Sequence, residues 1–191
     1  MLKFMDCFSI VILAGGKSER MGTDKGFLCL NKQPLIKHII DSFSPICNNI
    51  IISTNNINYH KFGLSIVEDK YKSCGPIAGI VEGLKKVKYN KVVILSCDSP
   101  FVKPDLINHL LNYKSEADIL FTFNKRTHPF PSLYNKSIIN KLESILEKGE
   151  RKLQNLYKYF NVENINCNDF DKSNFVNFNN LNDIKKYANK T

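Results

Sequence analysis

The chain has 191 residues, with 27 Lys or Arg against 18 Asp or Glu, a formal net charge of +9 at pH 7, and 43% hydrophobic residues. This ordinary globular mixture is long enough for one domain over residues 1–191 to bury a core without staples. It contains no apolar stretch of roughly 18 residues, which excludes a membrane-spanning helix, and no block of roughly five basic residues such as a nucleic-acid arm would show.

Met1 to Asp6 does not read as a signal peptide, and the apolar run after it is too short for a secretory core. That run, Phe8-Ser9-Ile10-Val11-Ile12-Leu13, is continuous, as expected of a parallel strand buried on both faces. Pro34 opens a helix whose apolar residues Leu35, Ile36, Ile39, Ile40 and Phe43 recur at helical spacing. Ile50 to Ile52 and Leu64 to Val67 read as strands. A helix then starts at Pro76, with Ile77, Ile80, Leu84 and Val87 on one face. Val92 to Leu95 is another buried strand, running into Ser96-Cys97-Asp98-Ser99-Pro100, and Pro104 begins the next helix. Beyond a strand at Ile119 to Phe123, His128 to Pro131 reads as a turn before Ser132-Leu133-Tyr134. Two helices follow, around Ile138–Ile145 and Leu153–Tyr157, then short strands near Val162 and Phe175 and a last helix from Leu181. This alternation predicts an α/β sandwich with a mostly parallel sheet and ligands bound beyond the carboxyl ends of the strands.

The six cysteines (Cys7, Cys29, Cys47, Cys74, Cys97 and Cys167) form no C-x-x-C pair, and there are only four histidines. Reduced thiols in a cytoplasmic protein fit this spacing better than a zinc site or a disulfide framework. The positive charge suits nucleic acid, an anionic membrane or a highly phosphorylated small molecule. Scattered lysines do not single out the first two, and neither is expected as a partner.

The loop after the first strand reads Leu13-Ala14-Gly15-Gly16-Lys17-Ser18-Glu19-Arg20-Met21-Gly22-Thr23-Asp24-Lys25. Glycines let backbone N–H groups approach and cradle phosphate oxygens. Arg20 can grip phosphate in a fork, and Lys25 acts as a point charge. The loop is neither a Walker A motif nor a dinucleotide fingerprint. Asp98, at the end of a buried strand, is placed either to bind a hard cation such as magnesium or to start a turn before Ser99-Pro100.

The glycine-rich run resembles the L-A-G-G-x-x-x-R-M-G-x-D-K signature of nucleotidyltransferases, and most closely that of the molybdenum cofactor guanylyltransferases. The resemblance implies a three-layer α/β/α Rossmann-like sandwich whose loop wraps a nucleoside triphosphate. It assigns catalysis to Lys25, Arg20 and Asp98. It assigns nucleotide contacts to Leu13, Ala14, Gly15, Gly16, Lys25, Ser53, Asp69, Gly75 and Asp98. Cys97-Asp98-Ser99-Pro100 matches the family's C-D-x-P motif, whose aspartate binds Mg2+, with Ser96 where proline often stands. Gly75-Pro76-Ile77-Ala78-Gly79-Ile80 resembles its G-P-L-A-G-I segment. Ser53 falls where the family carries a nucleotide-contacting asparagine, with Asn55 two residues on. Arg151 matches a G-x-R segment that could hold the pterin phosphate, or it is a helix-start arginine. Phe175-Val176-Asn177-Phe178-Asn179-Asn180-Leu181 is similar to the family's V-N-x-N-T-P ending, with Asn180-Leu181 replacing Thr-Pro.

The activity implied is transfer of GMP from GTP to molybdenum-molybdopterin, by a monomer in transient contact with cofactor-biosynthesis or molybdoenzyme partners. A cytidylyltransferase acting on the same pterin, another nucleotidyltransferase of this fold and a non-catalytic nucleotide binder are the competing readings.

Overall fold

Continuous apolar runs cannot leave either face in water, so they collect at the centre of a sheet covered on both sides. A computed structural model describes residues 8–15, 24–71 and 74–188. Its strands are β1 (Phe8–Leu13), β2 (Cys29–Leu30), β3 (Gln33–Pro34), β4 (Ile50–Ser53), β5 (Ser65–Val67), β6 (Lys91–Ser96), β7 (Ile119–Asn124), β8 (Arg126–Asn135) and β9 (Val162–Asn166). Its α-helices are α1 (Leu35–Phe43), α2 (Pro76–Lys86), α3 (Pro104–Asn112), α4 (Ile139–Glu147) and α5 (Leu181–Ala188).

The main sheet has the order β5-β4-β1-β6-β8-β7-β9. Strands β5, β4, β1 and β6 pair in parallel, as do β7 and β9, while β8 runs against both β6 and β7. Because side chains alternate along a strand, each central strand feeds two cores. Ile10, Ile12, Ile52, Val93 and Leu95 pack with Ile36, Ile39 and Phe43 of α1 and Leu106, Ile107 and Leu110 of α3. Val11, Leu13, Ile51, Val92 and Ile94 pack with Ile77, Ile80 and Leu84 of α2 and Leu142, Ile145 and Leu146 of α4. The result is the expected three-layer α/β/α sandwich with a mostly parallel sheet. No helix among the described residues is long and apolar enough to cross a membrane.

The structure corrects the sequence reading in its second half. His128 to Pro131 is not a turn but part of β8, and the chain reverses instead at Lys125, with φ 60. The β7–β8 register jumps between Phe121 and Thr122: Phe121 faces Ser132 while Thr122 faces His128. Pro129 and Pro131 therefore sit in the irregularity, where a missing N–H breaks no ladder bond. The helix expected at Leu153–Tyr157 is a 3-10 turn, Leu153–Lys158, and Glu150 ties down its start by accepting from Lys152 N–H at 2.9 Å. The strand expected near Phe175 is a 3-10 turn, Lys172–Phe175, because Asp171 accepts from Ser173 N–H and bends the backbone. The short β2–β3 hairpin was not anticipated; its reversal uses Asn31 and Lys32, both at positive φ.

Helix α2 lies so close to β1 that a Cβ at Gly83 would stand 2.6 Å from Val11 Cγ1 and 2.9 Å from Cγ2. Val11 is β-branched and locked between two neighbouring strands, so it cannot yield. Gly83→Ala gains about 1 kcal/mol of helix propensity, but overpacking costs about 1–3 kcal/mol. The expected net is a lower urea midpoint, and a midpoint at or above wild type would mean that helix and strand are spaced more widely.

Candidate active site

Leu13 pairs with Ser53 on one side and Ser96 on the other, and Ser53 pairs with Val67, so four parallel strands end level. Backbone bonds continue the row: Ala14 N–H to Ser53 O at 2.9 Å, Cys97 N–H to Leu13 O at 3.0 Å, and Thr54 N–H to Val67 O at 2.9 Å. Leu13 and Ala14 are buried in that row, and Gly15 is the first exposed residue after it. Gly16 and Arg20 lie outside the described residues.

Asp98 emerges one residue beyond Cys97. Its Oδ1 accepts from Ser96 Oγ at 2.7 Å, and its Oδ2 stands 3.5 Å from Lys25 Nζ. Lys25 opens a 3-10 turn, Lys25–Phe27, and its Nζ also donates to Asn179 Oδ1 at 2.8 Å. Ser99 Oγ lies 2.8 Å from Asn177 Oδ1 and 3.4 Å from Asp98 Oδ1, so its single proton serves the nearer Asn177. Between the two asparagines, Phe178 donates its N–H to Asp98 O at 2.8 Å. The Phe178 ring sinks among Leu28, Leu30, Leu35 and Ile184, against Phe101 and Tyr187. Burial pushes the Cys97 thiol well above its usual range, and the charges of Asp98 and Asp24 add to this, so it remains protonated and is no nucleophile.

Asp69 and Gly75 form a flank beside β5 and α2. Asp69 Oδ1 accepts from Tyr71 N–H at 2.8 Å, and Asp69 N–H donates to Asn55 Oδ1 at 2.8 Å. Partial burial raises the Asp69 pKa; the Tyr71 N–H opposes this and the Glu82 charge reinforces it. Ser53 is only 3% exposed, so at this end of β4 it is Asn55 that reaches the surface. Arg151 does not extend freely: its Nη1 donates to Leu146 O and Glu150 O, capping the end of α4. It therefore closes the end of α4 and does not stand at a helix start as the sequence suggested.

The strand ends thus gather Leu13, Ala14, Gly15, Ser53 and Asp98 with Lys25. The sequence carries no role for Ser96, Ser99, Asn177 or Asn179; the signal for the last two is that they fall on the asparagines of the V-N-x-N match. Among the described residues no group of three or more His, Cys, Asp or Glu could hold a metal.

A family model, the MobA-like NTP transferase domain, matches residues 10–164. A molybdenum cofactor guanylyltransferase from Vibrio campbellii is 37% identical over 186 residues, covering 94% of each chain. One from Haemophilus influenzae is 35% identical over 185 residues, covering 93% of this chain and 96% of the relative. Among solved structures, molybdopterin-guanine dinucleotide biosynthesis protein A from Archaeoglobus fulgidus superposes with a TM-score of 0.81 at 25% identity, covering 95% of this chain and 97% of that one.

Gly75 caps α2 at φ 74 and ψ −171, and a Cβ there would stand 3.2 Å from Arg151 O. Only glycine occupies this region readily, and other residues pay about 1–3 kcal/mol of strain. Gly75→Ala should lower unfolding free energy by that amount in urea titration; an unchanged midpoint would contradict the backbone conformation.

Proposed function

The chain belongs to the MobA-like NTP transferase family, and from that premise we propose that it transfers GMP from GTP to molybdenum-molybdopterin, releasing pyrophosphate. One observation carries the chemistry: Lys25 Nζ and Asp98 Oδ2 stand 3.5 Å apart where the parallel strands end. The relatives' activity supports GMP over CMP as the group transferred.

An oxygen of the acceptor's phosphate attacks the α-phosphorus of GTP. The new P–O bond forms as the bond from that phosphorus to the α–β bridging oxygen breaks, and its electron pair leaves with pyrophosphate. The nucleophile is already anionic, so no Ser, His or Cys need supply one. Positioning and charge neutralisation do the work. Lys25 offsets charge on the triphosphate, and Arg20 is assigned the same role from sequence. Gly15 and Gly16 offer backbone donors. Leu13, Ala14, Ser53, Asp69 and Gly75 complete the nucleotide side.

Asp98 fits a hard cation, because Ser96 orients one carboxylate oxygen while the other, among the described residues, has only the long Lys25 contact. Asp98 would hold Mg2+, which when bound offsets charge around the α-phosphate. Residues 1–191 act in this reading as one monomeric, cytoplasmic domain that meets cofactor-biosynthesis or molybdoenzyme partners transiently. The unbridged thiols of Cys29, Cys47, Cys97 and Cys167 fit a reducing compartment.

Incubating the protein with molybdenum-loaded pterin, magnesium and either GTP or CTP, with mass detection, should yield a GMP-linked pterin. A CMP-linked product would replace the reading with cytidylyl transfer. Asp98→Ala and Lys25→Ala should fold normally and lose about 10²–10³ in rate; full activity in folded Asp98→Ala would defeat the assignment.

A further inference from the structure

Beside Lys25 stands a carboxylate that the transfer reaction leaves without a role. Asp24 Oδ1 accepts from Tyr59 OH at 2.5 Å and from Gly26 N–H at 3.1 Å, and its Oδ2 accepts from Asn56 Nδ2 at 3.0 Å. Tyr59 and Asn56 come from the segment after β4: Asn56 caps the 3-10 turn Ile57–Phe62, accepting from Asn58 N–H at 3.0 Å. Its own N–H is held by Thr54 Oγ1 at 3.1 Å. Tyr59 is 0% exposed, with its ring 4.5 Å from that of Phe27 and 6.0 Å from that of Phe62, so its hydroxyl is fixed in place. Burial pushes this phenol far above its usual range, so it acts as a donor throughout the physiological range. The contact is tight enough that a Cβ on Gly26 would stand 2.2 Å from the hydroxyl.

We propose that Asp24, Tyr59 and Asn56 form a bracket that sets the backbone of the Lys25 turn, which makes Tyr59 and Asn56 positioning residues for Lys25 in nucleotide binding. The proposal rests on the assignment of Lys25 to the triphosphate. Lysine reaches its target through a flexible four-carbon stem. Asp98 and Asn179 restrain its ammonium group; the bracket restrains its root. Three donors around one carboxylate make Asp24 a structural acceptor, not a partner for the neighbouring ammonium.

The test is titration calorimetry of GTP with magnesium on Tyr59→Phe and Asn56→Ala, each in the parent chain and in Lys25→Ala, with thermal melts as a fold check. Binding is read without acceptor, so the result does not depend on which acceptor the enzyme uses. Tyr59→Phe should weaken GTP binding roughly tenfold, about what loosening one hydrogen bond to a charged group costs. It should add nothing in the Lys25→Ala background, because it acts through that lysine. Asn56→Ala should follow the same pattern with a smaller loss. Unchanged binding in both Tyr59→Phe and Asn56→Ala, with Lys25→Ala impaired, would overturn the bracket alone. An equal loss in both backgrounds would also overturn it, marking general loosening of the loop. Normal binding by Lys25→Ala would instead remove the assignment on which the proposal rests.

Discussion

Leu13, Ser53, Val67 and Ser96 occupy one row across four parallel strands, and the ladder that fixes this row decides where each site residue emerges. A slip of one residue would send every side chain of the slipped strand to the opposite face. Here both faces are apolar, so the cost of that exchange is one of shape: Val11 fits directly beneath Gly83 of α2, and a longer side chain in its place would overpack. The double-sided core therefore locks the register. The register in turn delivers Gly15, Asn55, Asp69 and Asp98 to a single edge, where ligands bind in open α/β sheets.

At that edge the carboxylates of a strongly cationic chain are oriented mainly by neutral donors. Asp98 is aimed by a serine hydroxyl, Asp24 by a phenol, an amide and a backbone N–H, and Asp69 by a backbone N–H. Ion pairs on exposed lysines would be screened and conformationally loose, whereas these donors are tied to turns or packed rings. The loop carrying Asp69 and Tyr71 is anchored in the same way, Tyr71 OH donating to Glu143 of α4 at 2.8 Å. Lys85 joins Glu143 to the buried Glu82 of α2, so this flank of the site is fastened to the helices behind it.

What the sequence made readable follows from how local each signal is. The central strands announce themselves as unbroken apolar runs, and prolines mark the starts of α2 and α3. The Gly15, Lys25 and Asp98 segments carry chemistry in short motifs. The β7–β8 hairpin was misread because Pro129 and Pro131 look like turn residues until the shifted register accommodates them. The reversal at Lys125 bears no glycine to announce its positive φ. The roles of Asp24, Asn177 and Asn179 depend on partners far away in the chain, and such pairing leaves no periodicity behind.

The closing segment shows how an apolar anchor and polar contacts divide the labour. Lys25 and Asn179 are 154 residues apart in sequence yet bonded at 2.8 Å. Exposed bonds of this kind contribute at most about 1 kcal/mol each, too little to hold a terminal segment against its conformational entropy. Phe178, 1% exposed, offers about 1.5–3 kcal/mol by burial and adds the ring contacts to Phe101 and Tyr187. Docking therefore rests on the phenylalanine and on α5 behind it. Asn177 and Asn179, carried on either side of that anchor, are left to set geometry at Ser99 and Lys25.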